Sequence, residues 1–294
     1  MGALAAAGCG SQPARQVVVY AAVDQVHAEP VLKEYERRSG VRVRALYDVE
    51  ASKTTGLAQR LVAEKRQPAA DVFWNGEFVQ TVALKRQGVL GSYRTCGGRL
   101  RVLLYRPEAV RAEALPRSMA ELAETRWKPE RVGMALPLFG SAATHAAALR
   151  ASMGRKQARG VYEKLATRGF RIVDGNSVVR DLVVGGQLDF GVTDSDDACG
   201  VVGPGSAVKM AALEDTLLIP QTVAVVTGAP HWTEAEALVS FLAGKEAQRM
   251  LADSGFAQVS AEDASFRAGC MAGLPAPVGG ADLEAVAAEF EAGQ

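Results

Sequence analysis

The sequence predicts an α/β protein of two lobes joined by crossing β-strands, and three observations carry that reading. Apolar runs alternate with amphipathic helical stretches, beginning with Val17–Tyr20, a helix from about Val26 to Arg38, and Val41–Tyr47. Such a strand–helix–strand unit implies a right-handed parallel crossover. Two longer extended runs, Gly98–Tyr105 and Leu217–Val226, suit segments that pass from one lobe to the other and back. The chain, at 294 residues, is long enough for two cores. Lys+Arg and Asp+Glu both number 33, and no basic stripe stands out, which argues against nucleic acid as a partner. No apolar run is long enough to cross a bilayer.

Val17–Tyr20 is continuously apolar, as a parallel strand buried on both faces should be. The helix that follows shows Val31, Leu32 and Tyr35 on one face and stops at Gly40. Val41–Tyr47 alternates, as a second strand. Ser52, Thr54, Thr55 and Gly56 crowd the start of a helix bearing Leu57, Leu61 and Val62. Capping needs only one of them, and the remaining hydroxyls and free N–H groups suit an anion. Ala70–Asn75 is a third strand, delivering Asn75, Gly76 and Glu77 to a loop before a helix that reaches Gly88. In the extended run that starts at Gly98, Arg99 and Arg101 fall on the same side. Ser118 and Glu121 have capping-box spacing. Val132–Pro137 reads as a strand, and the helix opening after it carries Gly140, Ser141 and Thr144 at its start, a second candidate anion cradle. His145 reads as a helix residue rather than a ligand. Helices then follow around Ala237–Leu242, at 245–251, and at 281–291.

The most informative stretch is 174–200. Asp174-Gly175-Asn176-Ser177 caps a helix whose apolar face is Val178, Val179, Leu182 and Val183. Gly185-Gly186 ends it, and Leu188–Val192 is a short strand that runs straight into Thr193-Asp194-Ser195-Asp196-Asp197. Crowded carboxylates raise one another's pKa unless a cation, a donor-rich ligand or water offsets them. Taken alone, this is a solvated acidic turn. Ligands of open α/β sheets, however, lie at the carboxyl ends of strands. By that rule Asp24, Glu50, Glu77 and the 194–197 cluster point to one crevice.

The segments VVVYAAVDQ, ADVFWNGE, GRLRVLLY, DGNSVVRDLVVGGQLDFGVTD and FLAGKEAQRML resemble the extracellular solute-binding proteins of ABC importers, in particular the ferric-iron-binding group. The resemblance runs from Val17 to about Ser260. It implies a type II periplasmic-binding-protein fold that closes over its ligand, with lobe 1 at 17–104 and 219–294 and lobe 2 at 105–218. In iron-binding members a His, a Glu and paired Tyr residues hold the metal and a bound anion completes its coordination. The His place falls on Asp24, the Glu place at Glu77 and the Tyr pair on Asp196 and Asp197. The anion places fall near Ser141, Ala142, Asn176 and the Arg99/Arg101 strand. The missing phenolates depart from the iron pattern, but the substitutes are hard oxygen donors that still suit a hard cation. They suit equally the amine of a solute whose phosphate or phosphonate meets the helix N-termini.

The expected function is therefore solute capture without catalysis or cofactor, the cargo being ferric or another hard metal ion with a synergistic anion. Asp24, Glu77, Asp196 and Asp197 would hold the cation or an amine. Ser52, Thr54, Arg99, Arg101, Ser141, Ala142, Asn176 and Arg180 would serve the ligand's anionic side, with Asp194 a further ligand-binding residue. The alternatives are a binder of small phosphonate- or phosphate-type solutes, and a metal-dependent glycosyltransferase using Asp194 and Asp196 as its DxD. A calcium loop fails on spacing at Ala198 and Cys199, and no GxSxG supports a serine hydrolase. The expected partners are an importer permease and its ATPase, and the expected state is a monomer. MGALAAAGCG resembles the end of a bacterial lipoprotein signal, which implies lipidation at Cys9, a tether through residue 16 and an extracytoplasmic place. The four cysteines form no CxxC pair, and their pairing stays open.

Overall fold

A computed structural model describes residues 15–48, 55–124, 126–138, 140–256, 269–271, 274 and 283–292. Among them the first half opens with β1 (Gln16–Ala22), α1 (Gln25–Ser39), β2 (Arg42–Tyr47), α2 (Thr55–Ala63), β3 (Val72–Asn75) and α3 (Val79–Arg86). The long β4 (Leu90–Tyr105) leads to α4 (Met119–Leu122), β5 (Val132–Ala135), α5 (Gly140–Met153), α6 (Arg155–Thr167) and β6 (Arg171–Val173). Then come α7 (Asn176–Val184), β7 (Phe190–Asp194), α8 (Ser195–Cys199) and β8 (Lys209–Ala212). The chain continues through β9 (Leu218–Val226), α9 (Trp232–Leu242), α10 (Lys245–Ala252) and α11 (Leu283–Glu291).

The strands run β2-β1-β3-β9-β4-β7-β5-β6, with β8 also on β4. β2, β1 and β3 are parallel, as are β6, β5 and β7, while β9 and β4 are antiparallel to their neighbours. β4 is the join. Its first part, Leu90–Leu100, pairs with β9, and its last part, Arg101–Tyr105, pairs with β7 and β8. The pairing slips between Thr95 and Gly98, where Gly97 takes φ 115°, a value closed to residues with a Cβ. The strand is thus bulged within its β9 ladder and changes partners a few residues later, between Leu100 and Arg101. The two-lobed, strand-joined architecture follows from this exchange.

Each half has its own apolar layers. Val17, Val19, Val31, Leu32, Trp74 and Val223 pack with α9 and α10 on one face of the first half. Leu103, Met119, Val132, Leu165, Phe190 and Val192 fill one face of the second. A further cluster belongs to both: Phe78, just before α3, and Val79 and Val82 of α3 meet Ala143 and Ala147 of α5, together with Val286, Ala287 and Phe290 of α11. The tail expected with lobe 1 thus packs against elements of both halves, and Met271 packs with Leu100, Val179 and Leu188.

Cys199 and Cys270 form a disulfide across 71 residues. Restricting so long a loop in the unfolded chain is worth about 4 kcal/mol by the chain-entropy argument. Cys96 is a buried free thiol whose pKa burial pushes well up, so it is inert as a nucleophile.

Candidate functional site

The site is built where β4 changes partner. Alternation on β4 turns Arg99 and Arg101 to one face, and the β4–β7 register sets Arg101 directly opposite Asp194. Both residues of that pair are fully buried. Nη1 of Arg101 donates to Asp194 Oδ1 at 2.6 Å and to Asn176 Oδ1 at 2.8 Å, with Ser141 Oγ at 3.4 Å. The other carboxylate oxygen of Asp194 accepts from Asn176 Nδ2 at 3.0 Å, from Ser141 Oγ, and from Arg99 Nη1 at 3.4 Å. Burial alone would raise the pKa of Asp194, but Arg101 and Arg99, together with the Ser141 hydrogen bond, hold it below the ordinary carboxylate value. Asp194 is therefore an anionic hub inside the protein, not a ligand group facing the crevice.

The expected acidic turn is a helix. Asp196 and Asp197 stand in the first turn of α8, where acidic side chains suit the positive end of the helix dipole. Asp196 is 2% exposed, and its Oδ2 lies 3.3 Å from Nη2 of Arg99. Asp197 reaches Nη1 of Arg180 at 3.2 Å. Burial first, then the charges of Asp196, Asp194 and Asp24, push the Asp197 carboxyl well above its ordinary range. Arg99 runs the other way. Burial opposes its charge, but Asp196, Asp194, Asp24 and Asp197 together raise its pKa further, and its guanidinium lies 5.1 Å from the centroid of Phe256. The place for a cation among these carboxylates is already held by an arginine.

A small cavity of about 40 Å³ opens beside Arg99. It is lined from the first half by Ala22, Gly76 and Glu77, and from the second by Ser141, Ala142, Gly175, Asn176 and Asp197. The starts of α5 and α7 both meet it, bringing backbone N–H groups that no helical carbonyl uses. Nε of Arg99 is buried without a hydrogen-bond partner, and its Nη2 has the 3.3 Å ion pair with Asp196 but no aligned hydrogen bond. A volume of that size holds an ion or a small oxyanion head rather than a whole sugar.

The expected residues divide clearly. Arg99, Arg101, Ser141, Ala142, Asn176, Asp194, Asp196, Asp197 and Arg180 are brought together, though Arg180 also bonds Asp181 at 2.8 Å. Glu77 lines the cavity, but its oxygens are engaged elsewhere. They accept from Val79 N at 2.6 Å, Gln80 N at 3.1 Å, Asn75 Nδ2 at 3.1 Å and Thr144 Oγ1 at 3.0 Å. Those bonds fix the start of α3, and the carboxyl, raised in pKa by burial, belongs to the frame rather than to a metal sphere. Asp24 caps α1 by position and lies with His27 and Asp196 so that one donor atom of each falls within 4.8 Å of the others. His27 was not singled out in the sequence. Its spacing of three from Asp24 at a helix start was the available signal, since i and i+3 share a face. Glu50, Ser52, Thr54 and Cys9 lie outside the described residues.

The solved structures similar to this chain share its architecture over nearly the full length. Iron-bound HitA from Pseudomonas aeruginosa matches with a TM-score of 0.77 at 19% identity, covering 94% of this chain and 95% of that one. Apo ferric ion-binding protein A from Pasteurella haemolytica gives 0.79 at 18%, covering 95% of each. AfuA from Actinobacillus pleuropneumoniae, with fructose-6-phosphate bound, gives 0.70 at 19%, covering 82% of each. A search of curated proteins by sequence finds no match. No helix among the described residues is long and apolar enough to cross a membrane. The sequence profile of the bacterial extracellular solute-binding proteins matches residues 16–257, and with the two-lobed fold this places the chain in that family, whose members bind solutes for ABC importers and are not enzymes.

Proposed function

We propose that the protein captures a small solute through an oxyanion group, phosphate- or phosphonate-like, seated at Arg99 between the starts of α5 and α7. One observation carries this reading: Arg99, whose Nε has no hydrogen-bond partner and whose Nη groups have only long ion pairs, lines a cavity that the starts of two helices also line. A group with several acceptor oxygens satisfies those donors, whereas a bare cation would meet a guanidinium in its place. Asp194, Ser141 and Asn176 hold the donors in position, and Asp197, protonated or paired with Arg180, adds little negative charge. Contacts from both halves favour the closed arrangement by differential binding. Lipid anchoring through Cys9 belongs to the same proposal, on the strength of the MGALAAAGCG segment.

A second reading, a hard metal ion as cargo, rests on the grouping of Asp24, His27 and Asp196. It requires Arg99 to leave Asp196, because a ferric ion and a guanidinium cannot share that carboxylate without strong repulsion. Isothermal calorimetry with inorganic phosphate, phosphate esters, aminoalkylphosphonates and ferric citrate separates the two. Binding of phosphate or a phosphonate without metal supports the first reading. Binding of ferric ion alone, lost in Asp196→Ala, overturns it in favour of the second.

A further inference from the structure

The helix that carries Asp196 and Asp197 is only five residues long, too short to stand without tertiary support. Two ties hold it, and both lead to a part of the chain distant in sequence. At its start, Ser195 Oγ donates to the carbonyl of Gly255 at 2.9 Å and accepts from the Leu100 amide at 3.1 Å, which joins the helix to β4 one residue beyond Arg99. At its end, Cys199 is bonded to Cys270. Between the ties, Gly255 lies flush against the helix. A Cβ placed there would stand 2.6 Å from Cys199 Cβ and 3.0 Å from Asp196 Cα, and Gly255 has φ +86°. The next residue, Phe256, lies under the Arg99 guanidinium and meets His27 edge-on with centroids 5.2 Å apart. The disulfide therefore fixes the end of α8 opposite to the Ser195 tie, with Asp196 and its Arg99 pair between the two.

We propose that the Cys199–Cys270 disulfide, besides stabilising the fold, is a positioning clamp for the ligand site, so that solute affinity depends on its redox state. Reduction by a dithiol transfers two electrons to the S–S bond. With two protons this gives two thiols, and the dithiol closes to its own disulfide. α8 then keeps the Ser195 hydrogen bonds, the ion pairs of Asp196 and Asp197 and the burial of Ala198, but loses the covalent hold on its end, which loosens the geometry in which Asp196 orients Arg99. The sheet keeps its ladders and the two large cores of its halves; Cys199 and Cys270 touch only the edge of the cluster around Leu100, Val179 and Leu188. The proposal rests on the reading of the Arg99 cavity as the solute site.

The experiment compares the full chain in its oxidised form, after dithiol reduction, and as the Cys199→Ser/Cys270→Ser variant. Inorganic phosphate affinity is read by calorimetry and backbone protection by hydrogen exchange of the 190–200 region. The clamp predicts roughly tenfold weaker phosphate binding in the reduced and variant forms, restored by reoxidation of the wild type, because a support for the binding groups has been loosened. It also predicts lost protection at 195–200 with β1, β3 and β9 unchanged. A lower Tm with unchanged affinity and unchanged protection at 195–200 overturns the clamp and leaves a purely stabilising disulfide. If no form binds phosphate, the oxyanion reading fails. The exchange measurement then still decides the clamp, since equal protection in oxidised and reduced protein refutes it by itself.

Discussion

Nη2 of Arg99 stands 3.3 Å from Oδ2 of Asp196, and Nη1 of the same side chain stands 3.4 Å from Oδ2 of Asp194. One guanidinium thus bridges two buried carboxylates at the point where β4 passes from one half of the protein to the other. The side chain also lines the cavity, and its Nε has no hydrogen-bond partner. The residue is at once the internal counter-charge of the acidic cluster and the strongest donor offered to a solute. Arg99→Lys keeps the charge but loses the planar fork. The expected result is phosphate binding weakened by about tenfold or more, measured by calorimetry.

Asp194 has no water to turn to. Asp194→Ala leaves Arg101 fully buried without its ion partner, and the expected cost is about 3–5 kcal/mol in urea unfolding. Asp194→Ala combined with Arg101→Met removes both charges and should recover much of that loss. Similar losses in the single and double variants would mean that the pair is not the energetic unit.

Asn176 bonds Asp194 and Ser141 through Nδ2 at 3.0 Å each while accepting from Arg101. Asn176→Ala should weaken oxyanion binding several-fold and cost about 1–2 kcal/mol of stability, since it strips hydrogen bonds from a buried charged group. Unchanged affinity by calorimetry would move the anion away from the start of α7.

His145 on α5 is 1% exposed, and burial holds its pKa down to about 3, helped by the positive charge of Arg101. Below pH 6.5 the unfolded chain binds a proton that the folded chain refuses, so stability falls as pH drops from 6.5 toward 3. At pH 5 the loss from this group is about 2 kcal/mol. Urea midpoints at pH 7 and pH 5 should show that drop in the native protein and little of it in His145→Gln.

Asp197 acts with the opposite sign. Its folded-state pKa is raised, so between its ordinary value of 3.8 and that raised value the folded chain holds the extra proton and stability falls as pH rises. Asp197→Asn should flatten that slope and leave the protein more stable than wild type at neutral pH. A steeper slope in the variant would show that Asp197 is ionised in the fold.

Much of this was legible in the sequence. β1, β3 and β9 announce themselves because strands buried on both faces are runs of Val, Ala and Phe, and the rule about strand ends pointed Asp24, Glu77 and Asp194–Asp197 to one crevice, where Glu77 and Asp197 line one cavity and Asp24 groups with Asp196. The acidic stretch misled in its state, not in its position. Three carboxylates read as a wet turn because local sequence does not reveal that Arg99, Arg101 and Arg180, distant along the chain, arrive to neutralise them. The first part of β4 was missed for a similar reason: Gly91–Gly97 is polar on its exposed side and bulged, so it lacks a clean alternation. α6 and β6 drew no notice, being one polar amphipathic helix and a three-residue strand. The pairing of Cys199 with Cys270 has no sequence signature at a separation of 71.

α11 rests on α3 of one half and α5 of the other, with Val286, Ala287 and Phe290 in the shared cluster. A body seated on two parts cannot stay fully in contact with both while they swing apart about β4 and β9. Opening must therefore slide or unseat that helix, exposing apolar surface in proportion to the angle. In the proposed capture cycle, release of solute would then be resisted by hydrophobic contact, to which Val286, Ala287 and Phe290 contribute from the far end of the sequence.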